Sequence, residues 1–122
     1  MTNRANILVV EDDDSVRLTL RDYLKKIGHS VHVSSDGVGA IQQLLDHDVD
    51  VIVTDYRMNV LGGNYWIGFL QRYCKDKIVI VASAYLRQDL SVPFPVLEKP
   101  FDYASLAQLI DESLTNEKEW NN

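Results

Sequence analysis

The chain alternates short, continuously apolar runs with longer stretches in which apolar residues recur every three or four positions. The short runs rich in Val and Ile are typical of strands buried on both faces of a parallel sheet. Ser30 to Ser35 contains only Val31 and Val33, which indicates a strand nearer an edge. In chain order the predicted strands are Ile7–Val10, Ser30–Ser35, Val51–Asp55, Ile78–Ala82 and Val96–Glu98.

The stretches between these strands have the 3.6-residue period of amphipathic helices, so each would bury one apolar stripe against the sheet. Trp66 and Phe69 lie partly off the stripe of the third helix, and their exposure stays open. If exposed together near Tyr65, they would mark a partner-binding patch. The predicted stripes are Val16, Leu20, Tyr23, Leu24 and Ile27; then Ala40, Ile41, Leu44 and Leu45; then Ile67, Leu70, Tyr73 and Cys74; and finally Tyr103, Leu106, Ala107, Ile110 and Leu114.

Short polar side chains precede the predicted helices and can accept hydrogen bonds from the free N–H groups of the first turn. The predicted caps are Asp14 or Ser15 for the first helix, Asp36 for the second, Asn64 for the third and Asp102 for the last.

Strand and helix alternate five times, which predicts an α/β fold: a doubly wound, five-stranded parallel sheet with helices on both faces. The segment Tyr85 to Pro95 contains Pro93 and Pro95, so its helix, the fourth, is predicted to be shortened or distorted. Residues 1–122 are predicted to form one domain, with residues 116–122 as a frayed tail or the start of a linker.

Composition excludes several classes of function. A net charge of −6 argues against direct binding of nucleic acid through its phosphates, and no apolar run is long enough for a membrane span. The lone Cys74 forms no internal disulfide, which fits a reducing, cytoplasmic compartment and a buried structural thiol. The three histidines fall away from the acidic residues and are interpreted as surface or packing residues: His29, His32 and His47.

Charged and polar side chains stand where the predicted strands end. Right-handed crossovers bring all these carboxyl ends to one edge of the sheet, where ligands of such sheets bind. Two carboxylates about 4 Å apart repel by roughly 4 kcal/mol at an effective dielectric near 20, so the cluster needs a cation or some of its members must stay protonated. The strand-end residues are Glu11, Asp12 and Asp13 after the first strand, Asp55 after the third, Ser83 and Ala84 after the fourth, and Lys99 after the fifth.

An all-oxygen site without Cys or His selects Mg²⁺, Mn²⁺ or Ca²⁺, and Mg²⁺ commonly takes part of its coordination from a phosphate. Lys99 and Ser83 supply an ammonium and a hydroxyl for the same dianionic group. The pattern therefore predicts that Asp55 attacks a phosphoryl donor and forms an aspartyl phosphate.

At these residues the chain resembles the receiver domain of two-component response regulators, a CheY-like member of the flavodoxin-like fold. The resemblance extends from Ile7 to Leu114. It rests on four motifs in order: Ile7-Leu-Val-Val-Glu-Asp-Asp13, Thr54-Asp-Tyr-Arg-Met58 with Gly63, Ala82-Ser-Ala-Tyr85 and Glu98-Lys-Pro-Phe101.

The resemblance implies a regulatory phospho-acceptor rather than an enzyme. Asp55 would accept phosphate from a histidine kinase or a histidine phosphotransfer protein. Asp12 would bind Mg²⁺ (or Mn²⁺) directly and Glu11 would bind it through water. Asp55 and the backbone carbonyl of Arg57 would complete the protein ligands.

Ser83 would be the switch hydroxyl beside Ala84, and Lys99 would pair with the phosphoryl group. The Lys99–Pro100 bond would be cis. Output would pass through contact with a downstream protein, and dimerisation on phosphorylation is left open.

Three features depart from the family pattern. Asn59 stands where the family usually has a proline after the methionine. Val96 stands where many receivers carry an aromatic switch residue, and a valine cannot swing between buried and exposed positions as an aromatic ring does. The segment from Ser83 to Lys99 is also shorter than usual. We therefore expect an unusual output surface.

Three other interpretations share parts of the pattern. Asp12-x-Asp14 after a strand resembles haloacid-dehalogenase-type phosphatases, with Asp12 as nucleophile and Asp14 as acid–base. A flavodoxin-like cofactor carrier would need a hydroxyl- and glycine-rich loop after the first strand, where four acidic residues stand instead. An inert receiver-fold scaffold is the third interpretation, and the intact set of strand-end residues argues against it.

Overall fold

The computed structural model describes residues 4–58, 60–84 and 92–121, with the backbone alone for 117–121. The predicted strands are confirmed to within two residues at each end. Along the chain the elements are β1 (Asn6–Val10), α1 (Asp14–Lys26), β2 (Ser30–Ser34), α2 (Gly37–Asp46), β3 (Val51–Asp55), α3 (Gly63–Tyr73), β4 (Ile78–Ser83), β5 (Val96–Glu98) and α4 (Tyr103–Asn121).

The five strands form one parallel sheet in the order β2-β1-β3-β4-β5. This is the doubly wound, flavodoxin-like order, and it confirms the predicted fold class. The chain winds outward in opposite directions from β1 and β3, so the connections after these two strands diverge. A crevice opens at their carboxyl ends, and β2 lies at an edge, as its sparse apolar content predicts.

Two apolar cores cover the two faces of the sheet. Side chains of β1 alternate between them: Ile7 and Val9 join the core under α1 and α4, whereas Leu8 and Val10 join the core under α2 and α3. Burial of each such side chain contributes roughly 1.5–3 kcal/mol. Because β1 and β3 feed both cores, the strand ends that bear the acidic residues are held firmly.

Two of the four predicted helix caps were wrong. Asp13, rather than Asp14 or Ser15, caps α1 by accepting a hydrogen bond from the Val16 N–H at 3.0 Å. Gly62 precedes α3 without a side-chain cap, while Asn64 lies inside the helix. The Asn64 Oδ1 instead accepts a hydrogen bond from the Tyr56 hydroxyl at 2.6 Å. The predicted caps of α2 and α4 are confirmed, Asp36 and Asp102.

Burial on α2 and α3 differs from the predicted stripes at three positions. Leu45 and Tyr73, expected inside, are 81% and 64% exposed. Trp66, whose exposure was open, is fully buried, and Phe69 packs beside it in the α2–α3 core. A 3.6-residue period gives the width of an apolar stripe, but packing against the sheet sets the rotation of the helix. Trp66 and Phe69 are therefore core residues, and the exposure on which a partner patch depended is not present.

The short fourth helix was predicted in the connection from β4 to β5. Residues 85–91 lie outside the described residues, and residues 92–95 contain no helix. At the other end, α4 continues through Asn121, whereas fraying was expected from Asn116. The tail sequence contains Glu and Lys, which have high helix propensity, and this favours continuation. No helix within the described ranges is long and apolar enough to cross a membrane.

Candidate functional site

Three carboxylates meet at the carboxyl ends of the two central strands. Glu11 and Asp12 directly follow β1, and Asp55 is the last residue of β3, the strand beside it. One carboxylate oxygen from each lies within 4.8 Å of the others. Glu11 is buried and Asp12 is exposed, so the cluster opens to solvent on the Asp12 side.

Lys99 inserts its ammonium among these acids. Its Nζ donates to the Glu11 Oε1 at 2.6 Å and to the Asp55 Oδ2 at 3.1 Å. The lysine side chain is 25% exposed, against 6% and 12% for the two carboxylates. The Lys99–Pro100 peptide bond is cis, and the Lys99 N–H donates to the Ser83 carbonyl at 2.7 Å. Residues from four strand ends, those of β1, β3, β4 and β5, are thus joined directly.

The charges in this cluster shift two pKa values. Three effects raise the pKa of Asp12 above 3.8: burial, a hydrogen bond with Glu11 and the negative charge of Glu11. Burial lowers the pKa of Lys99, but the hydrogen bonds and charges of Glu11 and Asp55 outweigh it and raise that pKa above 10.5. The ammonium is therefore a firmly held cation, and its charge offsets only part of the rise in the pKa of Asp12.

The donor set fits a hard divalent cation. All three ligand groups are carboxylates, and no His or Cys belongs to the cluster found among the described residues. When ionised, the three carboxylates exceed the one ammonium by two negative charges, which a divalent cation would neutralise. Oxygen ligands that leave room for water suit Mg²⁺ or Mn²⁺.

The other predicted site residues lie along the same edge. Ser83 ends β4 and is 1% exposed, and it pairs in register with Glu98, the residue before Lys99. Ala84 and Lys99 line a cleft of about 350 Å³, together with Val16, Pro100, Phe101 and Tyr103. Arg57 is exposed in the loop after β3, two residues beyond Asp55.

Sequence reasoning missed the residues that hold Glu11 in place. Arg17 donates to the Glu11 carbonyl at 2.9 Å and pairs with Asp14 at 2.6 Å. The Asp13 N–H donates to the Glu11 Oε2 at 3.2 Å. The spacing of Asp14 and Arg17, three residues apart on one helix face, was the available signal.

Sequence reasoning also missed a pair of hydrogen bonds that connects the backbone of Asp55 to α3. The buried indole N–H of Trp66 donates to the Thr54 hydroxyl at 2.8 Å, and that hydroxyl donates to the Asp55 carbonyl at 2.9 Å. Thr54 and Trp66 are both completely buried. Helix α3 is therefore hydrogen-bonded to the strand end that carries the Asp55 carboxylate.

The loop between Asp55 and α3 is tightly folded. The Gly63 N–H donates to the Tyr56 carbonyl at 2.8 Å, and Gly63 has a φ of +60°. A Cβ on Gly62 would lie 2.7 Å from the backbone of Met58. Glycine at these two positions lets the loop fold back beside the acidic cluster.

Comparison with known proteins agrees with this geometry. The family model described as the response regulator receiver domain matches residues 7–111. The transcriptional regulatory protein YxdJ of Bacillus subtilis is 26% identical over 102 residues, which cover 80% of this chain and 44% of that protein. The sensor kinase CckA of Brucella abortus is 30% identical over 122 residues, covering 93% of this chain and 13% of that protein. The chain thus spans less than half the length of either relative.

Solved structures show the same fold. The response regulator protein TrrA from Thermotoga maritima, solved in complex with Mg²⁺-BeF, superposes with a TM-score of 0.78 at 25% identity, covering 88% of this chain and 97% of that one. The chemotaxis response regulator CheY4 of Vibrio cholerae gives a TM-score of 0.79 at 23% identity, with coverages of 90% and 98%.

Proposed function

Because this chain belongs to the response regulator receiver domain family of two-component systems, we propose that it is a phospho-acceptor switch in which Asp55 is the acceptor. The observation that carries the proposal is the pair of hydrogen bonds from the Lys99 ammonium to Glu11 and Asp55, beside Asp12. We propose that residues 1–122 act as a single receiver domain in the cytoplasm.

The proposed reaction is transfer of a phosphoryl group from a phosphohistidine. An Asp55 carboxylate oxygen forms a bond to phosphorus as the bond from phosphorus to the donor imidazole nitrogen breaks, and the released imidazole takes a proton from solvent. The donor is a histidine kinase or a histidine phosphotransfer protein. The product is an acyl phosphate on Asp55.

Lys99 gives the site its selectivity for a phosphoryl group. Its ammonium already contacts an Asp55 oxygen, so an oxygen of a phosphoryl group attached to that carboxylate would lie within its reach. Charge that builds on the transferring group is then met by a fixed cation that needs no rearrangement. Ser83 and Ala84, at the end of the neighbouring strand, supply the hydroxyl and the backbone that bind the phosphoryl group on the other side.

Asp12 and Asp55 would hold Mg²⁺ or Mn²⁺ directly, with Glu11 bound through water and the Arg57 carbonyl as a further ligand. The acidic donor set described above supports this assignment. When bound, the ion neutralises the negative charge that would otherwise keep a phosphoryl anion away from a carboxylate.

Output through contact with a downstream protein is the form of signalling we propose. The net charge of −6 supports a protein partner rather than direct binding to nucleic acid. Val96 replaces the usual aromatic switch residue and packs with Val92 and Phe94 against the α2–α3 core. We therefore propose that the phosphorylated state is read at the strand ends rather than by a swinging aromatic ring.

Intact mass spectrometry after incubation with Mg²⁺ and acetyl phosphate tests the proposal. The wild-type chain should gain one phosphoryl group that hydroxylamine removes, and Asp55→Asn should gain none. Asp12→Asn should react slowly because it lacks a metal ligand. Asp22→Asn is the matched control, since Asp22 is an exposed acid on α1 that pairs with Arg21 outside the cluster, and it should react like the wild type.

The variants also separate the alternatives. A phosphoryl group that persists in Asp55→Asn and disappears in Asp12→Asn would favour the phosphatase-type nucleophile at Asp12. No phosphoryl gain in the wild type, with either acetyl phosphate or a phosphorylated histidine donor, would favour the inert scaffold.

A further inference from the structure

An apolar groove runs between α2 and α3, on a side of the molecule that the proposed chemistry does not use. It has a volume of about 380 Å³ and one charged residue in its lining. The ammonium of that residue, Lys77, donates to the Val49 carbonyl at 2.8 Å and lies 3.6 Å from Asp76. The lining residues are Ile41, Leu44, Leu45, Phe69, Tyr73, Cys74 and Lys77.

Exposed apolar side chains concentrate along the same two helices. Of the seven large apolar residues that are exposed in the described part of the chain, six lie in α2, in α3 or in the loop before α3. Leu45 and Tyr73, on the groove, are the positions that the helical period assigned to the core. Such a concentration marks an interaction surface. The six are Val38, Leu45, Val60, Leu61, Tyr65 and Tyr73.

Charge is scarce on this surface and is divided by sign. Helix α2 contains one charged residue, Asp46, and α3 contains one, Arg72, whereas α1 contains six. Exposed Asp48 follows α2 and exposed Lys75 follows α3. No ion pair formed between described residues uses any of these four.

The two helices run in the same direction, because each follows a strand of one parallel sheet. Both of their C-terminal ends therefore lie at the same end of the groove. The rim next to α2 is acidic there, through Asp46 and Asp48. The rim next to α3 is basic, through Arg72 and Lys75, because the charge of the exposed Asp76 beside them is paired with Lys77 at 3.6 Å.

We propose that this groove binds a second copy of the chain, with a twofold axis parallel to the helices, so that α2 of each copy packs on α3 of the other. This symmetry places Leu45 and Tyr73 of one copy against Leu45 and Tyr73 of the other. It also brings the acidic rim of each copy to the basic rim of its partner. Two chains of net charge −6 repel each other, and a face with few charges is where they approach at least cost. The association needs neither phosphorylation nor metal.

Sedimentation velocity of the unphosphorylated chain in EDTA, from low micromolar to near-millimolar concentration, tests the proposal independently of the phospho-acceptor function. The wild type should shift from monomer to dimer with concentration. Leu45→Glu should weaken the dimer by roughly tenfold at each of two symmetric contacts, or roughly a hundredfold in all. Leu18→Glu, at an exposed leucine on α1, is the control and should dimerise like the wild type.

Charge exchange tests the orientation. Asp46→Arg and Arg72→Asp should each weaken the dimer, because each sets like charges together across the interface, and the double variant should regain the wild-type affinity. Far-UV circular dichroism should be unchanged in every variant, since these side chains are exposed. A chain that is monomeric at every concentration overturns the proposal. So does a dimer that tolerates Leu45→Glu, or a double variant that stays weak.

Discussion

The Trp66–Thr54–Asp55 hydrogen bonds give the most quantitative prediction about this domain. Thr54→Val keeps the shape of the side chain and removes its hydroxyl. The buried Trp66 N–H is then left without its acceptor, and the Asp55 carbonyl loses a donor. An unsatisfied buried donor costs about 1–3 kcal/mol, so we expect unfolding free energy to fall by about 2 kcal/mol. At roughly 4 °C per kcal/mol, the Tm should fall by about 8 °C.

A double-mutant cycle isolates the hydrogen bond. Trp66→Phe alone should cost about 2 kcal/mol, about half from the lost bond and half from lost apolar burial. The double variant should cost only about 3 kcal/mol, because no indole donor remains to be left unsatisfied. The coupling free energy is then about 1 kcal/mol. Thr54→Ser keeps the hydroxyl and should lose only about 1 kcal/mol, for its missing methyl group.

Urea unfolding followed by far-UV circular dichroism is the appropriate assay, since Trp66→Phe alters fluorescence directly. The m-value should be the same in the four proteins of the cycle, which are the wild type, the two single variants Thr54→Val and Trp66→Phe, and the double variant. If the two substitutions add to about 4 kcal/mol, within about 0.5 kcal/mol, Trp66 and Thr54 are not energetically coupled and the reasoning is refuted.

Three other predictions follow from described contacts. Burial, opposed by the charge of Asp111, lowers the pKa of His29 below 6.5, and the His29 Nδ1 accepts a hydrogen bond from the Ala5 N–H at 3.1 Å. The native state then binds fewer protons than the unfolded state, so the stability of the domain should fall as pH drops below 6.5. His29→Gln should flatten that part of a curve of Tm against pH. Gly37→Ala should destabilise the domain by about 1–3 kcal/mol, because the added Cβ would clash with the Leu61 carbonyl oxygen. Gly68→Ala should stabilise it by about 0.5–1 kcal/mol, because a Cβ at this position in α3 would meet open space. Equal effects of the two substitutions in urea unfolding would contradict this. Mg²⁺ at about a hundredfold excess over its Kd should stabilise the wild type by about 2.7 kcal/mol in thermal unfolding, reversibly with EDTA, and an equal gain in Asp12→Asn would exclude Asp12 as a ligand.

Much of the site was predictable because strand ends are visible in the sequence. Continuous apolar runs fix where Glu11 and Asp55 stand, and the parallel topology then brings them together without knowledge of any contact. The choice of partners was less visible. Both acids lie near Lys99, and only side-chain packing shows that its ammonium binds Glu11 at 2.6 Å and Asp55 at 3.1 Å.

Helix rotation was the main feature that local pattern could not supply. Four apolar residues on α2 satisfied the helical period, yet Leu45 faces solvent while Ala40 is fully buried. On α3 the reverse happened, since Trp66 was drawn inward by the Thr54 hydroxyl and by stacking with Phe69 at 5.6 Å. The rotation of each helix depends on its packing against strands outside the helix, as in the Trp66–Thr54 hydrogen bond, which the period of the helix itself does not include.

The burial of Trp66 also makes the domain its own optical probe. The chain has two tryptophans, Trp66 and Trp120, so Trp120→Phe would leave one indole emitter. That indole is one hydrogen-bonded hydroxyl away from Asp55, the proposed phospho-acceptor. Its emission maximum and lifetime would report a change at Asp55 in real time, without an added dye.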